Sequence, residues 1–438
     1  MKIHFVGISG IGISALAGYY LEKGNEITGS DLSLSETANE LKKRGVKIFL
    51  GHKSSNLKKE TDFLVYSSAV KKDNPEILES KKKGIKALSY PEALGNLTKE
   101  YYTVAFSGTH GKSTTTAMFS LIAIGANLDP TIIIGTKLKE LKNRNYRVGK
   151  SNLLIIESDE WNASFLKYSP DIAAINNIER DHLDYYKNLN HIIGTFKKYV
   201  GNVKRGGFLV LNKDDKNVLK LKRKNLKTIQ FSLKQKEAGK IRKILKVPGE
   251  HNVYNALCAL SASRAVGIED KVSYKYLSSF RGTWRRFEEK KINGLTIIND
   301  YAHHPTAIKE TLKAARDKFK RKRIWCIFQP HQIERTKLLF NDFVKVFSSF
   351  KAEKIIIIDI YDVPGREKNN NKRKVSSKNL VEKINQKNII YLQKDKVKKY
   401  IMESISEIDV LIIMGAGDIY EFGKVFNTFN LTKKAPKR

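Results

Sequence analysis

The chain has 438 residues, enough for about three domains that each bury their own core. Hydrophobic residues make up 41% and charged residues 29%, which excludes a disordered chain and a membrane bundle. Lys and Arg number 81 against 45 Asp and Glu, a net charge of +36. Such an excess invites a nucleic-acid partner. The lysines are spread along the whole chain, however, so the excess reads as a solubilising surface and no nucleic acid is expected.

The apolar N-terminus is interrupted by Gly7, Gly10, Gly12 and Gly18 and followed by Glu22 and Asp31. That makes a poor signal peptide and too broken a run for a spanning helix. Cys258 and Cys326 each sit in apolar runs, without metal or disulfide spacing, which fits a reducing cytosol. A cytoplasmic protein with no membrane partner is the expectation.

In chain order, the pattern is strand, glycine turn, helix. A strand at Ile3–Val6 meets the turn Gly7–Gly12, then a helical stretch Ser14–Lys23. Ile27–Thr28 opens a short strand ending at Gly29-Ser30-Asp31, and Phe63–Tyr66 is a strand closed by Ser67-Ser68. Pro91–Glu100 reads as a connector. Strand Thr103–Phe106 then meets a second glycine turn, with a helix to about Ile124, and strands follow at Leu153–Ile156, Ile172–Ile175 and Phe208–Leu211. Arg281–Arg286 reads as a second connector. A third set has strands at Thr296–Ile298, Ile324–Phe328, Lys354–Ile358, Ile389–Leu392 and Val410–Met414, with a polar loop at Arg366–Lys378. Short apolar strands alternating with helices predict parallel βαβ units, hence an α/β protein with three sheets.

The second glycine turn is Gly108-Thr109-His110-Gly111-Lys112-Ser113-Thr114. Between a strand and a helix it can cradle phosphate, because glycines turn backbone N–H groups toward an anion and the helix N-terminus adds positive charge. Lys112 can reach terminal phosphates and the Ser113 hydroxyl can ligate Mg²⁺. Phe106 stands where an ordinary Walker loop has its first glycine, so this cradle is shortened. Glu157, ending a strand at the carboxyl edge of the sheet, can face the loop, and His182 is a second candidate for the metal. Glu179, Asp181 and Asp184 read as caps or solvated charges.

The first turn, with Gly7, Gly10 and Gly12, resembles a dinucleotide fingerprint without being GxGxxG, and Asp31 sits near the ribose position of such a unit. An NAD-dependent oxidoreductase is a rival on that evidence. The second phosphate loop favours a nucleotide-linked substrate plus ATP. Ser30, His52, Ser67 and Ser68 are candidates to line the first site. Further on, His251, Asn252 and Asn255 open a helix, and Trp284-Arg285-Arg286-Phe287 sets guanidiniums beside aromatics, suited to phosphate. Asp300-Tyr301-Ala302-His303-His304-Pro305 and the stretch from Phe328 to Thr336 both follow strands, and Met414-Gly415-Ala416-Gly417-Asp418 is a tight turn.

Taken in order, HFVGISGIGIS, GSD, SSAVKKDNPE, SGTHGKSTTT, NNIERDHLDYY, GEHNVYNAL, WRRFE, NDYAHHP, FQPHQIERT and MGAGD resemble the Mur ligases over nearly the whole chain. The GTHGK cradle with the AHHP segment marks the muramate-recognising branch. The resemblance implies a UDP-binding Rossmann-like domain (1–98), a central P-loop-type ATPase domain (99–286) and a C-terminal Rossmann-like domain (287–438). It implies ATP-dependent ligation of L-alanine to UDP-N-acetylmuramate through an acyl phosphate. A whole peptide joined to the same nucleotide sugar is the alternative, and the protein would be a monomer or homodimer.

By the same resemblance, Gly108–Thr114 would hold the triphosphate and Lys112 would stabilise the transferred phosphoryl group. Ser113, Glu157 and His182 would hold Mg²⁺, while His251, Asn252 and Asn255 would lie by the adenine. Arg286 and Asp300 would contact phosphate and ribose. His303 and Arg335 would orient the alanine, and Gly7, Gly10, Gly12, Ser30 and Asp31 would hold the uridine diphosphate. Trp161 and Asn162 within the acidic run from Glu157, Gln332 in place of an arginine, and Asn299 in place of an acid depart from the family pattern.

Overall fold

A computed structural model describes residues 1–183, 185–362 and 375–425. Asp184 and positions 366–374 of the expected polar loop lie outside the described residues. Two compact units result. The first comprises Met1–Arg180, Asn188–Lys246 and Asn252–Phe280; the second comprises Asp181–Lys187, Val247–His251 and Arg281–Arg438.

The first unit carries two sheets. One is formed by β1 (Lys2–Val6), β2 (Glu26–Asp31), β3 (Lys47–Leu50), β4 (Phe63–Tyr66) and β5 (Lys86–Ser89). Its order is β3-β2-β1-β4-β5 and all pairings are parallel. The other contains β6 (Tyr102–Ser107), β7 (Thr131–Leu138), β8 (Arg144–Arg147), β9 (Leu153–Glu157), β10 (Ile172–Ile175), β11 (Phe208–Asn212) and β12 (Lys227–Phe231). Its order is β12-β11-β10-β6-β9-β7-β8, and only the edge pair β7–β8 is antiparallel. The runs at β6, β9 and β10 are apolar on both faces because helices cover both. Each fully buried Ile, Val or Leu there contributes about 1.5–3 kcal/mol.

The second unit has β13 (Glu288–Ile292), β14 (Leu295–Asp300), β15 (Ile324–Phe328), β16 (Lys354–Ile357), β17 (Ile389–Tyr391) and β18 (Val410–Met414). The order is β13-β14-β18-β15-β16-β17, with β13–β14 an antiparallel hairpin. Two apolar clusters, one on each face, include Ile298, Phe328 and Phe343 on one side and Ile297, Ile327 and Leu411 on the other. The three-sheet α/β expectation holds.

Several local expectations differ. Pro91–Glu100 is not a connector but most of a helix, Tyr90–Glu100. Pro91 occupies its first turn, where a missing N–H costs nothing, and Ser89 with Glu92 forms a capping box. The end of the expected polar loop is also helical: Ser377–Ile384 begins at a Ser376 cap. Helix α1, Ile11–Glu22, starts three residues earlier than the sequence suggests, because Gly10 serves as its N-cap. None of the described helices is long and apolar enough to cross a membrane.

Candidate active site

In the first unit, β6 runs into the second glycine turn and the buried helix Lys112–Gly125. Gly111 is the N-cap with φ +83°, and a Cβ there would lie 2.1 Å from Asn255 Oδ1, so only glycine fits. The segment after β10 braces the turn. Thr109 N donates to Asn177 O at 3.0 Å and His110 N to Asn177 Oδ1 at 2.8 Å. Glu179 N donates back to Thr109 Oγ1 at 2.9 Å.

Beneath the turn lies a buried amide network. Asn255 Oδ1 accepts from Thr115 Oγ1 and Asn176 Nδ2, both at 3.2 Å, and Asn255 Nδ2 donates to Asn252 Oδ1 at 3.2 Å. The sequence put Asn252 and Asn255 beside an adenine. In the structure Asn255 Oδ1 sits where a Cβ on Gly111 would fall, and Asn252 hydrogen-bonds to Asn255. Asn176 Nδ2 also donates to Thr115 Oγ1 at 2.7 Å, while Asn176 Oδ1 is buried without a partner among the described residues.

Lys112 Nζ donates to Gly108 O and Glu160 Oε2, each at 2.8 Å, and lies 3.6 Å from Asp159. Burial works to lower the lysine pKa, but Glu160, Asp159 and Glu157 together outweigh it and hold the ammonium charged. Glu160 is 2% exposed, and the sequence reading gave it no role. Ser113 Oγ donates to Glu157 Oε1 at 3.0 Å, and Gly135 N on β7 donates to Glu157 Oε2 at 2.9 Å. Burial, with Asp159, pushes the Glu157 carboxyl up against the opposing pull of Lys112, Ser113 and Gly135. Thr114 is buried in the first turn of the helix.

The first glycine turn follows β1. Gly7 has φ +79°, and its N–H donates to Ser30 O at 2.8 Å. A Cβ on Gly12 would lie 3.0 Å from the Tyr90 ring. Asp31 does not stand open: Oδ2 accepts from Ser9 N at 2.9 Å and Oδ1 from Leu32 N at 2.7 Å, closing the turn on itself. Ser30 Oγ is buried and donates to the fully buried Glu76 at 2.5 Å while bonding His52 Nδ1 at 2.9 Å. Ser67 and Ser68 lie half-buried in the turn after β4.

In the second unit, Arg335 NH2 donates to Asp181 Oδ1 at 3.1 Å and NH1 to His331 Nδ1 at 3.3 Å. Asp181 read as a mere cap in the sequence. It is buried, and although burial opposes this, His182, Arg335, His304 and His303 hold its carboxyl well below the usual carboxylate range. His182 follows it with φ +51°. His303 Nδ1 lies 2.9 Å from Tyr301 O, a contact only an N–H can make, so Nε2 keeps the lone pair. Burial, Arg335 and His331 push the His303 pKa well down, leaving it neutral.

The Asp300 carboxylate accepts from Phe287 N and Ala302 N, both at 2.7 Å, and joins the end of the Arg286 connector to the turn after β14. Arg286 stacks over Tyr301 at 4.8 Å. Arg285 is buried among Trp284, Tyr301 and Tyr420 and donates to Gly415 O and Gly417 O, which gives the MGAGD turn a structural partner. His251 lies 3.7 Å from Glu310. Gln332, at φ +72°, caps the helix Ile333–Leu338.

A strand, a glycine turn and a helix bearing Lys-Ser define a phosphate-loop nucleotide-binding protein of the α/β class. Three family models match in succession: the Mur ligase family catalytic domain at 2–102, the Mur ligase middle domain at 106–263, and the Mur ligase glutamate ligase domain at 285–417. The chain belongs to the Mur ligase family.

It is 40% identical to UDP-N-acetylmuramate–L-alanine ligase of Clostridium botulinum (strain Langeland), covering 97% of each chain. It is 41% identical to the enzyme of that name from Acetivibrio thermocellus, covering 97% of this chain and 95% of the other. The crystal structure of UDP-N-acetylmuramate–alanine ligase from Thermotoga maritima superposes with a TM-score of 0.81 at 28% identity, covering 98% of each chain. A murein peptide ligase from Psychrobacter arcticus shares the fold, with a TM-score of 0.72 at 24% identity and 98% coverage of each chain.

Proposed function

We propose that this protein catalyses the ATP-dependent ligation of L-alanine to UDP-N-acetylmuramate in peptidoglycan synthesis. The observation that carries the proposal is identity of 40% across 97% of the chain to a ligase of that name, together with an intact phosphate loop in the fold. Family membership sets aside the dinucleotide reading of the first turn.

A carboxylate is a poor electrophile and must first be activated. Its oxygen attacks the terminal phosphorus of ATP, the bond to ADP breaks, and an acyl phosphate forms. The deprotonated amine of alanine then attacks the acyl carbon, and phosphate leaves. In this scheme Gly108–Thr114 hold the triphosphate and Lys112 offsets charge on the transferred group. Asn255 backs Gly111 in the cradle; we keep His251, Asn252 and Asn255 as contacts to the adenine and Arg286 and Asp300 as contacts to phosphate and ribose.

Ser113 and Glu157 are hard oxygen donors already 3.0 Å apart, a donor set that suits Mg²⁺, with His182 as a further ligand. When bound, the ion supplies charge neutralisation between phosphate oxygens. Arg335 pairs with the alanine carboxylate, and neutral His303 orients the amine through its Nε2 lone pair. Gly7, Gly10 and Gly12 receive the uridine diphosphate, with Ser30 and Asp31 shaping the turn from beneath. We assign the domains as 1–98, 99–286 and 287–438, the location as cytoplasmic, and the state as monomer or homodimer.

The test is ADP formation across an amino-acid and peptide panel with UDP-N-acetylmuramate present. ADP release is expected only when both sugar nucleotide and alanine are supplied. Equal release without either one overturns the ligase assignment, and preference for a tripeptide over alanine overturns its specificity.

A further inference from the structure

Asn145 lies on the edge strand β8 of the second sheet and is 3% exposed. Asparagine is a poor strand former, and burying its amide costs free energy unless both ends are partnered. Its Nδ2 leaves its own sheet and donates to Ile11 O at 2.5 Å and Ser14 Oγ at 3.0 Å, both in the first turn of α1. Ser14 Oγ closes the knot by donating to Ile11 O at 3.0 Å. The neighbouring Tyr146 ring occupies the space left by Gly18, where a Cβ would lie 2.2 Å from it. Thus β8 grips α1 at its start and again two turns on.

The preceding turn is tied by Ser9 N on Asp31 and Gly7 N on Ser30 O, but these bonds hold residues ahead of the helix. Gly10 supplies no side-chain cap, and the turn before it depends on Gly7 at φ +79°. A free N-terminus suits an anion but has to be aimed.

We infer that Asn145 is a positioning residue for the nucleotide-sugar diphosphate: from the neighbouring domain it fixes the helix start that receives the phosphates. The inference rests on the assignment of Gly7–Gly12 to the uridine diphosphate. Asn145 touches no substrate, and its effect passes through the amides of α1.

The experiment measures UDP and uridine affinity by calorimetry, and steady-state constants, for Asn145→Ala and Ser14→Ala beside the unmodified protein. UDP binding and the KM for UDP-N-acetylmuramate should weaken at least about fivefold in Asn145→Ala and about twofold in Ser14→Ala. Uridine affinity and the KM for ATP should stay within about twofold, because neither ligand leans on that helix start. General loosening would weaken UDP and uridine in equal ratio, and that result overturns the inference, as does unchanged UDP affinity in both variants. If Asn145→Ala does not fold, Asn145→Leu, of similar shape but unable to donate to Ile11 O, decides by the same criterion of about fivefold. Failure of the unmodified protein to bind UDP would bring down the assignment of Gly7–Gly12, and the inference with it. UDP binding that Asn145→Ala leaves untouched would remove the inference alone.

Discussion

The two glycine turns of the first unit solve one problem in opposite ways. At Gly108–Ser113 the cation is built in: Lys112 is parked on Glu160, and the turn is braced by Asn177 and Asn255. The sequence from Gly7 to Gly12 contains no lysine. The turn is held by Asp31 on Ser9 and by Asn145 on the helix that follows. A loop that must move a phosphoryl group needs a charge ready to follow it. A loop that only holds a diphosphate needs amides aimed and kept still.

That contrast can be broken most severely at Lys112. Lys112→Ala is expected to lower kcat at least about 100-fold. It leaves Glu160 buried without its cation, at about 3 kcal/mol of stability. Lys112→Ala combined with Glu160→Gln should regain most of the melting temperature and none of the turnover. Turnover restored in the double variant would mean that the lysine serves only to neutralise Glu160.

A smaller effect separates the two turns by substrate. In Gly111→Ala the new Cβ meets Asn255 Oδ1 at 2.1 Å in a left-handed conformation, and the KM for ATP should rise about tenfold or more. In Gly7→Ala the Cβ meets Ser67 Cβ at 2.9 Å, also with positive φ, and the rise should fall on UDP-N-acetylmuramate instead. Initial-rate measurements with each substrate varied in turn decide this. A shared rise in both constants would erase the distinction.

The smallest effect sharpens the account of what holds α1. Arg144 NH1 pairs with Glu22 at 2.9 Å, near the far end of the same helix, with both side chains partly exposed. Arg144→Ala should cost under about 1 kcal/mol in chemical denaturation and leave UDP affinity unchanged. The grip that matters is the buried amide, not the surface charge.

Much of this was legible in the sequence, for identifiable reasons. Strands such as Ile172–Ile175 and Val410–Met414 are short apolar runs between breakers, and their limits agree with the structure. Lys112 and Ser113 were readable because a phosphate loop is a local motif. Tyr90–Glu100 was obscured by reading Pro91 as a breaker when it begins a helix. Glu160, Asn177 and Asn145 were not assignable, because each acts on a partner far along the chain, and spacing carries no trace of such a contact. Asp181 read as a cap for the same reason: its guanidinium partner, Arg335, lies 154 positions away.

The hairpin β7–β8 has a double attachment. Gly135 on one stem steadies Glu157, and Asn145 on the other steadies the start of α1. Changes of length in this stretch should therefore be tolerated only at the tip around Lys139–Leu141. Adding or deleting one residue in the β8 stem would turn Asn145 to the opposite face and release the start of α1, while Gly135 would keep its bond to Glu157.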